Sequence, residues 1–114
     1  MRSHLQQKHQ DGVDGAWLIG DLPIAYCSLP DDFGYDVFPT DLYFMDLDGD
    51  WADTNRNGVF DSHSGHVQPE IWIGRLIASN LTVTGQTEVD LMREYLSKAA
   101  AYRVENPSGA LEGV

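Results

Sequence analysis

One polar run constrains this chain more than any other feature: DLDGDWADTNRNGVFD, from Asp46 to Asp61. Inside it Asp53, Asn55, Asn57 and Asp61 stand at the first, third, fifth and ninth positions of an EF-hand-type loop. Gly58 stands at the sixth position, where the backbone must turn through angles that a Cβ would oppose. Because alternate residues of a tight loop point inward and calcium selects hard oxygen ligands, the run predicts a calcium-binding loop.

The match is incomplete at the twelfth position, where Ser64 cannot supply the two oxygens of the usual glutamate. The Val59 carbonyl is available at the seventh position, and we expect a further ligand from the flanking segments, which would close the site between strands. An alternative is a solvated acidic turn in which Asn and Gly merely satisfy turn geometry. The predicted metal-ligating residues in the segment 46–64 and just after it are Asp46, Asp48, Asp50, Asp53, Asn55, Asn57, Val59, Asp61 and Glu70.

The chain has 114 residues and a net charge of −11, which fits one domain or part of one. Between Asp41 and Asp61 the only basic residue is Arg56, so the carboxylates repel one another unless a cation neutralises them. This charge argues against nucleic acid or an anionic membrane as a partner, since both attract basic surfaces.

A single cysteine, Cys27, excludes an internal disulfide and gives no information about the compartment. We interpret it as a half-buried structural thiol. No stretch of the sequence is long and apolar enough to span a bilayer, and the beginning of the chain lacks the apolar core of a signal peptide.

Apolar runs predict an alternation of strands and helices. Residues 2–10 are compatible with a helix, and the continuous apolar run from Ala16 to Gly20 is typical of a parallel strand covered on both faces. Residues 28–40 are predicted to form a long, turn-rich loop, held to the body by Phe33, Tyr35 and Phe38. Two further strands are predicted, at Leu42–Leu47 and at Glu70–Leu76.

Apolar residues at three- and four-residue spacing predict a helix in the segment 84–106, with Thr87 and Asp90 as a capping box. Asn106-Pro107 is predicted to end it, leaving a disordered tail over 107–114. Together these elements predict an α/β fold with a parallel sheet and flanking helices over residues 1–106. Three strands leave an unprotected sheet edge, so we expect an incomplete domain.

Three motifs occur in order: WLIGDLP, then FPTDLYFMDLDGDWADTNRNGVFD, then PEIWIGRL followed by a long helix. This series resembles the gingipain-like cysteine peptidases, a branch of the caspase-hemoglobinase fold, over roughly Leu5 to Val104. The resemblance implies a partial caspase-like domain, stabilising calcium sites, and peptide-bond hydrolysis by a Cys thiolate with a His partner. It also implies an extracellular or cell-surface setting, about which the chain itself is silent.

In that family the catalytic His, its acidic partner and the Cys follow the last strand and helix found here, beyond Val114. His63 and His66 lie in a polar loop and are interpreted as surface histidines, and Cys27 lies too far upstream. Without an activated nucleophile, we predict that the chain alone is inactive and assign it no catalytic residue.

Three functions remain open. The chain is expected to be a fragment of a gingipain-like endopeptidase, whose partners are the remainder of the domain and a peptide or protein substrate. It is alternatively a non-catalytic calcium-binding module for adhesion or scaffolding, with a dockerin-like loop, or a gene remnant. The downstream reading frame discriminates among them.

Overall fold

The computed structural model describes residues 1–31, 34–81 and 84–105. These residues form mixed helices and strands, with small parallel and antiparallel sheets, in agreement with the predicted α/β class. The elements in chain order are α1 (Arg2–Gln10), β1 (Gly15–Ile19), β2 (Ala25–Asp31), β3 (Gly34–Thr40), α2 (Leu42–Met45), β4 (Asp50–Ala52), β5 (Ser62–Ser64), β6 (Trp72–Leu76) and α3 (Glu88–Glu105).

The chain divides into two compact units, Met1–Arg75 and Leu76–Val114. The first unit contains a small apolar core that includes Phe44 and Leu47, on either side of the turn that carries Asp46. Partly buried Ala16, Tyr43, Phe60 and Ile73 pack against that core, whose buried residues are Leu5, Ala25, Phe44, Leu47 and Ile71.

Helix α1 begins and ends as predicted. It is polar, and among its residues only Leu5 is buried, where it joins the core. Asp11 follows the last turn and its N–H donates to the Gln7 carbonyl, while Gly12 adopts a φ of 95°, which ends the helix.

Strands β1 and β6 pair in a two-stranded sheet and confirm two of the predicted strands. The prediction that β1 is covered on both faces is wrong for the described residues. Leu18 is 6% exposed, whereas Trp17 is 54% and Ile19 is 50% exposed, because alternate side chains of a strand point to opposite faces and only one face is covered here. Trp72 of β6 is exposed to the same degree as Trp17 and meets it edge to face.

The segment predicted as a long loop is instead an antiparallel hairpin of β2 and β3, paired from Ala25 with Thr40 to Asp31 with Gly34. Its prolines and glycine suggested turns, but proline is tolerated on the outer edges of a two-stranded hairpin, where it need not donate to a neighbouring strand. Phe38 is largely exposed and does not hold the segment to the body. Phe33 and the side chain of Tyr35 lie outside the described residues.

The predicted strand Leu42–Leu47 is also wrong, since Leu42–Met45 forms the short helix α2. The Leu42 N–H donates to the Thr40 hydroxyl, and the N–H groups of Phe44 and Met45 donate to the Asp41 carbonyl. This turn buries Phe44 in the core and delivers Asp46 directly after it.

The second unit contains α3, which confirms the predicted helix and its capping box. The Thr87 hydroxyl accepts the Asp90 N–H, and the Asp90 carboxylate accepts the Thr87 N–H and hydroxyl. The predicted end at Asn106-Pro107 and the tail 107–114 lie outside the described residues. Among the described helices, none is long and apolar enough to cross a membrane.

Candidate metal centre

The loop Asp53–Asp61 is held by hydrogen bonds from its own backbone to its own polar side chains. The Asp53 carboxylate accepts the N–H of Asn57 at 3.1 Å and that of Gly58 at 2.8 Å. The Asn55 side-chain oxygen accepts the Asn57 N–H at 3.1 Å, and the Asn57 side-chain oxygen accepts the Val59 N–H at 2.9 Å. The side chains at the first, third and fifth positions are therefore turned toward the loop's own backbone.

Two residues of this loop adopt left-handed backbone angles. Gly58 has a φ of 87°, as predicted for the sixth position, and Arg56 has a φ of 60°. A non-glycine residue is uncommon in this region, so the hydrogen bonds around Arg56 offset a local conformational cost.

Asp61 closes the loop against Thr54. Its carboxylate accepts the Thr54 N–H at 2.9 Å and the Thr54 hydroxyl at 2.7 Å. These bonds, the backbone one first, favour the charged carboxylate and lower the pKa of Asp61 below its ordinary value.

The ends of the loop are fixed by β-structure. Strands β4 and β5 pair on either side of it, and Phe60 exchanges backbone hydrogen bonds with β2, donating to the Tyr26 carbonyl at 2.9 Å and accepting from Ser28 at 2.8 Å. A cavity of about 410 Å³ results, lined by Ser28, Val37, Thr54, Asn55, Asn57, Val59, Asp61 and Ser62.

A second acidic group lies outside this loop. Carboxylate oxygens of Asp46, Asp48 and Glu70 lie within 4.8 Å of one another and could hold a metal ion. Asp46 is buried, Glu70 is half-buried and Asp48 is exposed. Glu70 also accepts the Leu47 N–H at 2.6 Å.

Asp46 is already supplied with donors by the protein. Its carboxylate is fully buried and accepts bonds from the Gly49 N–H at 2.7 Å, the Trp51 indole N–H at 3.0 Å and His63 Nε2 at 2.7 Å. Burial alone would raise the pKa of Asp46, but the hydrogen bonds from His63, Gly49 and Trp51 outweigh it, and the pKa is lowered.

The nine predicted ligands thus fall into different places. Asp53, Asn55, Asn57, Val59 and Asp61 share the loop, whereas Asp46, Asp48 and Glu70 form the separate acidic group. Asp50 is exposed on β4 and belongs to neither set. The residues from outside the loop that line its cavity are Ser28, Val37 and Ser62, whereas the prediction looked to acidic residues of the flanking segments.

Several important contacts had no signal in the sequence. His63 was interpreted as a surface histidine, but its side chain is 14% exposed and it donates to Asp46. The Arg2 guanidinium donates to the carbonyls of Tyr43, Asp46 and Gly49, and Gln6 donates to that of Leu47, so α1 holds the turn that carries Asp46. These partners lie far apart in the chain, and residue spacing does not reveal them.

Two side chains outside the acidic groups, those of Arg75 and Cys27, are also paired or buried in this unit. Arg75 pairs inside the unit with Asp41 at 2.8 Å and also donates to the carbonyls of Leu22 and Pro23. Cys27 is a buried structural thiol, more buried than predicted, and burial raises its pKa.

Comparison of the chain with protein-family models, curated proteins and solved structures found no match.

Proposed function

We propose that this chain contributes a structural calcium-binding loop, Asp53–Asp61, to an α/β domain of the gingipain-like cysteine peptidase type. The observation that supports it most is the set of inward hydrogen bonds at Asp53, Asn55 and Asn57 around the left-handed Gly58. In this arrangement the backbone amides orient the side chains, as outer hydrogen bonds orient metal ligands in other sites.

The bonded oxygens keep capacity for a cation. Each carboxylate or carboxamide oxygen has two lone pairs, and each bond from a loop N–H uses one of them. Asp53 and Asp61 supply negative charge, and Asn55, Asn57 and the Val59 carbonyl supply neutral oxygens. Asn55, Asn57, Val59 and Asp61 line an open cavity of about 410 Å³, which is compatible with the flexible geometry of calcium. Magnesium requires a tighter octahedral geometry and tends to keep its bound waters, so we expect it to bind this loop more weakly than calcium does.

The affinity should be modest. The loop has two carboxylates and no bidentate glutamate at its twelfth position, and calcium affinity falls as ligand charge and rigidity fall. Sites of this kind suit the calcium concentrations found outside cells, in agreement with the extracellular or cell-surface setting proposed for the parent enzyme.

The peptidase assignment rests on the order of the three sequence motifs. A further observation supports a larger domain: the two-stranded sheet of β1 and β6 leaves Trp17, Ile19 and Trp72 half-exposed, and a further layer would cover them. In this proposal the remaining domain supplies the His and Cys that act on a peptide or protein substrate.

Calorimetric titration with calcium tests the loop, with magnesium as the ion control. We expect saturable heat with calcium that is lost in Asp53→Asn, since this change removes a ligand charge and replaces one of the two carboxylate oxygens that accept the Asn57 and Gly58 N–H groups. Asp48→Asn is the matched control and should keep binding. Loss of binding in Asp48→Asn but not in Asp53→Asn would indicate that the ion binds at the second acidic group, and it would contradict the proposal.

The peptidase part has a separate test. Downstream sequence that encodes an apolar strand, a His-Gly pair and then a Cys is expected, and the chain alone should not cleave arginine or lysine reporter substrates. A stop codon without such a remnant would favour the non-catalytic module. Reporter cleavage that iodoacetamide abolishes would overturn the predicted inactivity of the chain.

A further inference from the structure

The fifth and sixth positions of the loop form an Asn-Gly pair, Asn57-Gly58, whose chemistry differs from that of the other described asparagines. A backbone nitrogen can attack the side-chain amide carbon of the asparagine that precedes it, closing a five-membered imide. Glycine permits the approach because it has no side chain beside the attacking nitrogen. Asn55 and Asn80 are followed by Arg56 and Leu81, whose side chains hinder the same attack.

Hydrogen bonds around the pair place both groups that the reaction needs. The Gly58 N–H, which must lose its proton, donates to Asp53 Oδ2 at 2.8 Å. The Asn57 side-chain oxygen, on which negative charge develops, accepts the Val59 N–H at 2.9 Å. A carboxylate at the nucleophile and a donor at the developing oxyanion are the arrangement of general-base catalysis with oxyanion stabilisation.

We propose that Asn57 is a self-modification site, converted to aspartate and isoaspartate through a cyclic imide with Gly58. The bond from Gly58 N to Asn57 Cγ forms while the amide proton passes to the Asp53 carboxylate. The bond from Cγ to Nδ2 then breaks, and Nδ2 leaves as ammonia with that proton. Water opens the imide at either carbonyl, so the net reaction consumes one water, releases ammonia and involves no oxidation.

The conversion alters the loop at a ligand position. Aspartate adds a negative charge at the fifth position, whereas isoaspartate inserts an extra carbon into the backbone and disturbs the alternation that points ligands inward. This consequence rests on the proposed calcium function. Calcium should slow the reaction, because coordination engages the oxygens of Asp53 and Asn57 and holds both side chains on the ion.

The test is incubation of the full chain at neutral pH and physiological temperature in EDTA, followed by peptide mapping by mass spectrometry with isoaspartate detection. Asn57 should convert at least about tenfold faster than Asn55 or Asn80 in the same molecules, and no slower than Asn57 in the urea-unfolded chain. Conversion no faster than at Asn55, or slower than in the unfolded chain, would overturn the proposal.

The Asp53→Asn variant distinguishes the effect of the Asp53 carboxylate from the intrinsic reactivity of the Asn57-Gly58 pair. It should slow conversion at Asn57 by about tenfold or more, since a carboxamide cannot take the proton. Asp36→Asn makes the same chemical change at an exposed position of β3 and should leave the rate unchanged. An unchanged rate in Asp53→Asn would show that the Asp53 carboxylate does not accept the Gly58 amide proton in the reaction.

The last experiment measures the rate of Asn57 conversion in the presence of calcium. A several-fold slower rate in calcium, with binding seen by calorimetry, supports both the inference and the proposed function. Conversion that depends on Asp53 in a chain without calcium binding leaves the inference standing and refutes the calcium function. An unchanged rate in a chain that binds calcium refutes calcium protection.

Discussion

Asp46 and Asp53 belong to one acidic segment, yet their surroundings differ. Asp46 is fully buried, and three donors from Gly49, Trp51 and His63 already occupy its carboxylate. Asp53 lies in a mostly exposed loop, and the donors that reach it are N–H groups of the loop itself. The same side chain therefore serves the stability of the fold at one position and can serve a solvent-borne cation at the other.

The difference follows from burial. A buried carboxylate costs several kcal/mol unless donors in the protein replace the water it loses. Once such donors occupy the carboxylate, replacing them with a metal ion gains little free energy. Asp53 is only partly buried, so its carboxylate bears less of this cost, and neighbouring carboxylates favour an ion that neutralises them.

The largest expected effect comes from removing the buried carboxylate. Asp46→Ala leaves His63 and the Trp51 and Gly49 N–H groups without their acceptor, so we expect the free energy of unfolding to fall by about 3–5 kcal/mol in urea denaturation. Asp50→Ala is the control, since Asp50 is exposed and should change stability by less than about 0.5 kcal/mol. Equal small losses in both variants would break the comparison.

The next effect is the gain from calcium. At a hundredfold excess of free calcium over Kd, the folded state should gain about 2.7 kcal/mol, seen as a higher melting temperature that EDTA reverses. Asp53→Asn should lose this gain. A melting temperature that EDTA does not move in the unmodified chain would count against a structural site.

A smaller effect is expected at Trp51. Trp51→Phe removes the indole donor to Asp46 but keeps an aromatic ring, so stability should fall by about 1 kcal/mol. Calcium affinity should stay unchanged, because Trp51 contacts the buried group and not the loop oxygens. A change in calcium affinity larger than the change in stability would show that the two regions are coupled.

The smallest effect is expected in acid. Because the folded state lowers the pKa of Asp46, its stabilisation is present above the unfolded pKa and is lost as the pH falls below about 4. The protonated carboxyl still accepts hydrogen bonds, so the loss is smaller than in Asp46→Ala. Urea midpoints across this range should fall less steeply in Asp46→Asn, and equal slopes would contradict the assignment.

The sequence predicted the elements whose pattern is local. Helix α3 was readable from its apolar spacing and from Thr87 and Asp90, and β1 and β6 from their apolar runs. Helix α2 was not, because a four-residue apolar run fits a strand or a helix equally and the cap from Thr40 depends on the backbone. The β2–β3 hairpin was hidden by turn-forming residues within paired strands.

The candidate site was predictable to the same extent. The positions of Asp53, Asn55, Asn57 and Gly58 follow from loop spacing, and the left-handed Gly58 was expected. The division of the acidic residues into a loop and a separate buried group was not predictable. It depends on His63 and Arg2, which contact Asp46 from 17 and 44 residues away in the chain. Such contacts depend on how α1 and the β4–β5 pair fold over α2.

A calcium titration followed by amide NMR spectra tests the central claim most directly, because it reports both regions at once. The Gly58 N–H donates to Asp53 and the Trp51 indole N–H donates to Asp46. We predict saturable shifts of the Asn57, Gly58 and Val59 signals with the Trp51 indole signal unmoved. Movement of the Trp51 indole and Gly49 signals with Gly58 unmoved, or no movement at all, would contradict the claim that the loop holds the ion.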